Sequence, residues 1–218
     1  MNEATALPPE LDGNSGQRVS AILGALVARG EQRALRISDL LDALHERAFG
    51  MVILVFALPN CLPMPGIPYV STITGIPICL FALQMLFGMP RPWLPSRIAA
   101  RQIPQRRVAG AWRRLEPAFR KVERIIRPRN LALTSQTAER VLAILILALA
   151  IILALPLPAG NLLPAWAIAL LALGLMERDG RAVAIGVAAS IAALAWIAAL
   201  LIAGEQLYHW LRLAVFGA

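Results

Sequence analysis

The sequence predicts an all-α, polytopic helical membrane protein. Two proline-broken hairpins, re-entrant or fully spanning, form an internal repeat, with one full transmembrane helix and cytoplasmic amphipathic helices beside them. Three observations carry this. Of 218 residues, 58% are hydrophobic and only 16% charged, against about a quarter charged in soluble domains. The apolar residues gather in windows without any charge, at 48–90, 141–176 and 182–204. Two of those windows are interrupted by prolines in the same pattern.

The last window is 23 residues long, enough for a helix across a hydrocarbon core of about 30 Å. The chain reads as six segments of one membrane domain: 1–47, a tail with amphipathic helices; 48–90, the first hairpin; 91–140, a basic amphipathic segment; 141–176, the second hairpin; 182–204, the transmembrane helix; and 205–218, a C-terminal tail. Residues 1–17 are polar and slightly acidic, with neither a basic leader nor a cleavable apolar core, so the first insertion signal is the 48–90 window.

Within 1–47, the pattern over 17–30 suggests a short helix. A second is expected from Ser38, as N-cap, with Asp39 in its first turn, continuing through 39–50. Leu40, Leu41 and Leu44 share one face of it, opposite Asp42 and Glu46.

The net charge of +8 is unevenly placed. Residues 91–140 hold 13 of the 21 basic residues against three acids, Glu116, Glu123 and Glu139. A basic segment between membrane windows marks the cytoplasmic side. With both hairpins returning to that side and the last helix crossing once, the N-terminus is expected inside and the C-terminus outside. Val108, Ala111, Trp112, Leu115, Phe119, Val122 and Ile126 form one apolar stripe with arginines opposite. Such a helix fits the anionic lipid headgroups of a bilayer or packs, solvated and bent at Pro117, on the protein's own cytoplasmic face. Nucleic acid is excluded as a partner, because no aromatics are interleaved for base stacking.

The hairpins break at LPMPG in the first window and at LPLPAGNLLP in the second. Leu62-Pro63-Met64-Pro65 precedes a leg with Pro77 near its start; Leu155-Pro156-Leu157-Pro158 precedes one with Pro164. Proline begins a helix well and continues one badly, so Pro77 and Pro164 are expected in first turns. Legs of 14 or 15 residues extend about 21–23 Å, short of the full core. Broken backbone at membrane depth needs protein or a wet cavity around it, and paired broken segments point to a transport site. Ordinary hairpins with tight turns at the far interface are the competing expectation.

The candidate substrate-binding residues are Asn60, Pro63, Pro65, Gly66, Thr72, Thr74 and Gln84 in the first hairpin and Pro156, Pro158 and Asn161 in the second, with Ser71 also polar at the first tip. Asn60 and Asn161 serve equally as caps of the broken helices, and Gln84 as a bridge between helices. Arg91, Arg178 and Asp179 are candidates for a gate at the cytoplasmic mouth. Arg91 reads first as an interfacial anchor with Trp93, and Arg178-Asp179-Gly180 first as a turn joining two helices, with Asp-Gly tolerating positive φ.

Ala182, Gly186 and Ser190 recur every fourth residue and offer a small-residue face to a helix of this chain or to a second copy in a homo-oligomer. Tyr208, His209 and Trp210 form an interfacial aromatic group. Cys61 and Cys79 read as small apolar packing residues rather than a disulfide. No metal-ligand spacing, paired carboxylates, Ser-His-Asp set or phosphate loop occurs, so no catalytic residue, metal or cofactor is expected.

With these motifs the chain resembles the bacterial ExoD family. The matching stretches are ALPNCLPMPG, TGIPICLFALQMLFG, RPWLP at 91–95, RPRN at 127–130, PLPAGNLLPAWAIALLALG and ERDGRAVAIG at 177–186. They span roughly residues 38–186; Cys61 and Met64 depart from plain aliphatic residues at the first tip. The resemblance implies a multi-pass inner-membrane protein connected with exopolysaccharide or envelope production, and it implies no reaction. A small transporter or translocation factor with its site between the hairpins is the leading expectation; a non-transporting scaffold of the exopolysaccharide machinery is the other.

Overall fold

The structure is a computed structural model that describes residues 20–21, 24–25, 35–62, 70–104, 108–110, 112–114, 116–117, 120–121, 136–155 and 160–216. The chain divides into two compact units, Met1–Ala48 with Pro90–Arg127, and Phe49–Met89 with Pro128–Ala218.

In the first unit, a two-residue strand β1 (Leu35–Arg36) pairs antiparallel with β2 (Gln102–Ile103). Helix α1 (Ile37–Leu44) follows β1 and buries Leu41 and Leu44, with Leu40 half-buried. It starts one residue before Ser38, which therefore is not its N-cap. The cause is local. Asp39 Oδ2 accepts the N–H of Arg36 at 3.1 Å, and the N–H of Ile37 reaches the carbonyl of Arg101 at 3.4 Å, so the first-turn donors are satisfied without the serine. A short 3₁₀ stretch, His45–Arg47, separates α1 from the apolar helix that starts at Ala48, where one continuous helix was expected.

Ser20, Ala21, Gly24 and Ala25 are helical, as are the described residues of 108–121. In that second segment Val108 and Trp112 are half-buried while Arg113, Arg114, Arg120 and Lys121 are exposed, the expected division of faces. Ala111, Leu115, Phe119, Val122 and Ile126 lie outside the described residues. Pro117 continues the helix.

Among the described residues, the regular elements of the second unit are all helices. The first hairpin comprises α2 (Ala48–Ala57), a 3₁₀ turn (Leu58–Cys61) and α3 (Val70–Leu86). Short helix α4 (Ser96–Ala99) belongs to the first unit. The second hairpin comprises α5 (Gln136–Ala154) and α6 (Leu162–Glu177), and α7 (Gly180–Phe216) completes the chain. Helix α3 packs on α5, the 3₁₀ turn on α6, and α6 on α7. Two glycines of the first hairpin permit the closest approaches to the second. A Cβ at Gly50 would stand 2.6 Å from the carbonyl oxygen of Ala172, and one at Gly75 would stand 3.0 Å from the Cα of Ala154.

Three expectations are corrected here. Pro77 lies inside α3, not in its first turn, because α3 begins seven residues earlier, at Val70. The hydroxyl of Thr74 donates to the carbonyl of Val70 at 2.8 Å, so the polar string folds back on its own helix rather than forming loop. Pro164, by contrast, is the third residue of α6 and does lie in a first turn.

The leg expected at 141–155 starts at Gln136, since polar and charged residues extend a helix at its end. α5 thus reaches 19 residues. Among the described residues two helices, not one, are consequently long and apolar enough to cross a membrane, at Thr137–Ala154 and Gly180–Gln206. Finally, the segment expected as a tail from residue 205 continues α7 to Phe216.

Many outward-facing side chains on these helices are large and apolar, with exposed charges such as Arg140 and Arg181 near helix ends. Ile73 and Ile76 on α3, Val141, Ile144 and Ile151 on α5, and Ile185, Ile191, Leu201 and Ile202 on α7 are all exposed, and Phe87 is 75% exposed. Helices at the core of a water-soluble protein hide such residues; this exposed apolar surface has the composition of one that meets lipid. The chain is membrane-associated.

Candidate functional site

The polar residues of the hairpin tips converge at one end of the second unit. α2 ends in the 3₁₀ turn at Pro59, which fits an N-terminal helical position. That turn presents Asn60, whose Nδ2 donates to Thr74 Oγ1 at 2.6 Å and approaches the carbonyl of Phe56 at 3.4 Å. Ser71 and Thr72 stand on the same first turns of α3. Ser71 Oγ accepts from Asn161 Nδ2 at 2.8 Å. Thr72 Oγ1 donates to the carbonyl of Ala154 at 2.8 Å, a group that the end of α5 leaves without an intrahelical partner.

Five side chains and one backbone carbonyl therefore form a small uncharged polar assembly. Its chemistry is that of hydroxyls and amides: it can hold a polar group by hydrogen bonds, and it holds no carboxylate, imidazole or thiol to move protons at neutral pH. One atom of it stays open: Asn161 Oδ1 is enclosed and has no hydrogen-bond partner among the described residues. Asn161 does occupy the N-cap position of α6, yet its side chain makes no capping bond and turns instead to Ser71.

The remaining expected site residues fall elsewhere. Gln84 is buried but sits ten residues beyond Thr74 on α3, about 15 Å along a helix, so it does not join the tip assembly. Pro63, Pro65, Gly66, Pro156 and Pro158 lie outside the described residues. In the first unit, Arg91 Nη1 pairs with Asp42 Oδ1 at 2.7 Å.

Arg178 and Asp179 make the turn between α6 and α7. The positive φ falls on Arg178, at 53°, not on the Asp-Gly pair. The N–H of Asp179 returns to the carbonyl of Gly174 at 3.0 Å, and its Oδ1 accepts from the N–H of Arg181 at 2.8 Å. Asp179 thus caps the start of α7.

The small-residue face of α7 is used within the chain. A Cβ on Gly186 would stand 2.8 Å from Leu171 of α6, one on Gly174 would stand 2.7 Å from the nitrogen of Val183, and Ser190 is buried with its hydroxyl on the Gly186 carbonyl. Cys61 and Cys79 are both free thiols, and Cys61 is buried.

Sequence reasoning did not anticipate the Ala154 carbonyl. Its signal was the Pro156 that follows two residues later, since a helix stopped by proline leaves its last carbonyls open.

The family described as exopolysaccharide synthesis, ExoD, matches residues 19–199. The chain belongs to the ExoD family. The protein named ExoD in Rhizobium meliloti (strain 1021) is 31% identical over 206 residues, covering 91% of this chain and 85% of that one. An uncharacterized protein of Synechocystis sp. (strain ATCC 27184 / PCC 6803 / Kazusa) is 31% identical over 147 residues, 67% of this chain and 69% of its own. No solved structure matches. The ExoD match takes in both hairpins and every residue of the polar assembly, and it ends within α7.

Proposed function

We propose that this ExoD-family chain is a multi-pass protein of the bacterial inner membrane that serves exopolysaccharide or envelope production as a small transporter or translocation factor. In this reading the hairpin tips hold its site, and the solute is an ion, a lipid or a lipid-linked glycan intermediate. The basic segment 91–140 keeps the N-terminal side cytoplasmic by the positive-inside rule, and α7 carries the C-terminal side across.

The observation behind it is the polar assembly with its acceptor Asn161 Oδ1, enclosed and without a partner among the described residues, at the tips of two otherwise largely apolar hairpins. Inside a hydrocarbon-like surrounding an enclosed amide oxygen without a donor is costly; a solute that donates a hydrogen bond or carries positive charge would relieve that cost. The reading assigns no catalytic step.

The test is a double variant, Asn60→Ala with Asn161→Ala, expressed in a strain lacking its own copy. Exopolysaccharide output should fall to that of the deletion strain while the variant accumulates in the membrane at the wild-type level. Full output from the folded double variant would remove the tip site and leave a scaffold role.

A further inference from the structure

Charge and exposed apolar side chains also meet in a stretch that the tip site does not use. Residues 91–121 carry nine basic residues and one acid, Glu116. Two of the nine are engaged, Arg91 by Asp42 and Arg120 by Glu116, each at 2.7 Å. Arg97, Arg101, Arg113, Arg114 and Lys121 are exposed, and among the described residues no carboxylate pairs with them.

Between these charges stand two large apolar side chains open to the surroundings, Trp93 at 57% and Ile98 at 47% exposed. Ile98 lies on α4 directly after Arg97, and Arg101 follows three residues later. The backbone here is held in place. The N–H groups of Ile98 and Ala99 return to the carbonyl of Pro95 at 2.8 and 3.0 Å, and β2 ties the next residues to β1. The exposed pair is therefore presented on ordered structure, and it follows the apolar helix α3 directly in sequence.

Each feature has a partner of known chemistry. Guanidinium groups match phosphate oxygens in a two-pronged geometry. Tryptophan settles at the headgroup level, where one part of the ring meets acyl chain and its N–H meets water. An acidic protein surface would satisfy the arginines but not an exposed tryptophan and isoleucine flanking them in a membrane-associated chain.

We propose that the 91–101 stretch docks on anionic phospholipid headgroups, with Trp93 and Ile98 entering the headgroup layer and Arg97 and Arg101 meeting lipid phosphates. Arg113, Arg114 and Lys121 add to the attraction. Neutralising each contacting arginine should weaken docking by about fivefold at low ionic strength, and salt should weaken it further.

The experiment uses the full chain reconstituted in vesicles of phosphatidylcholine alone or of equal parts phosphatidylcholine and phosphatidylglycerol. An environment-sensitive fluorophore is attached at Ile98→Cys in a Cys61→Ala, Cys79→Ala background. In the anionic vesicles the probe should be quenched by brominated lipid and shielded from acrylamide. Both effects should recede in pure phosphatidylcholine, in high salt and in Arg97→Gln with Arg101→Gln.

The difference in tryptophan emission between the otherwise unaltered chain and Trp93→Phe supplies the same readout without cysteine changes, should the labelled variant fail to reconstitute. Free access of acrylamide in every vesicle would overturn the proposal. So would shielding from both quenchers whatever the lipid, which would mean packing against protein, or a response to soluble acidic protein and not to anionic lipid.

Discussion

The two hairpins carry the same proline pattern and end differently. In the first, Asn60 stays within its own hairpin and bonds Thr74 of α3. In the second, the described tip groups reach across: the Asn161 side chain bonds Ser71, and the last carbonyl of α5 receives a bond from Thr72. The first hairpin supplies all the hydroxyls, and the second supplies an amide and a bare carbonyl. The glycines repeat the asymmetry. Gly50 and Gly75 both belong to the first hairpin and face the second, Gly50 at Ala172 and Met176 and Gly75 at Ala154, whereas Gly174 of the second faces α7. Prolines thus set where the helices stop; the residues that follow decide which neighbour satisfies the ends.

The comparison is most severely strained by filling the glycine contacts. Gly50→Val or Gly75→Val forces the hairpins apart and should destabilise the protein by about 3 kcal/mol, read as a lowered unfolding midpoint in detergent. Wild-type stability in both would mean that the hairpins do not touch there. Gly110→Ala, at a helical position where an added Cβ meets nothing within 4 Å, serves as the steric control and should leave stability unchanged or raise it by up to about 1 kcal/mol.

A smaller effect sharpens the pairing at the tips. A double-mutant cycle on Ser71→Ala and Asn161→Ala should show a coupling of about 0.6–1.7 kcal/mol, the range for hydrogen bonds between membrane helices. The cycle on Ser71→Ala and Asn60→Ala should be nearly additive, because Asn60 bonds Thr74. Coupling in the second cycle and none in the first would reverse the assignment of partners.

The least effect is expected outside the hairpins altogether. Arg91→Gln removes an ion pair whose partners are 55% and 47% exposed, and should change stability by less than about 0.5 kcal/mol. A loss comparable with the glycine variants would show that this pair fastens the first unit as strongly as the glycines fasten the hairpins.

Much of this was legible because polar residues are scarce in the membrane windows. Asn60, the hydroxyls of 71–74 and Asn161 stand out against apolar neighbours, and a proline break beside each told where they would gather. Pro77 was misplaced for a physical reason: serine and threonine favour loops by local propensity, and here their side chains bond to α5, to Asn60, to Asn161 and back to the Val70 carbonyl within a helix that starts at Val70. The start of α5 was hidden because a charge ends a hydropathy window without ending a helix, as Glu139 and Arg140 show. Gln84 was picked out by polarity in the middle of an apolar leg, a one-dimensional criterion that does not say which neighbour it meets; the helix rise places it away from the tips. The small face of Ala182, Gly186 and Ser190 announced a close neighbour but not which one, since the pattern on one helix is indifferent to the origin of the other.

The unequal lengths of these helices have a consequence for the surrounding lipid. With 17 and 16 residues, α3 and α6 extend about 25 Å, while the 37 residues of α7 extend about 55 Å. In the multi-pass reading a bilayer of about 30 Å thins where it meets the short helices, unless flanking side chains snorkel to reach its surface. Around α7 it must thicken, or let the helix lean or protrude. The protein then imposes a gradient of thickness across its own perimeter, and a thinned rim lowers the barrier for a lipid headgroup to move between leaflets at that place.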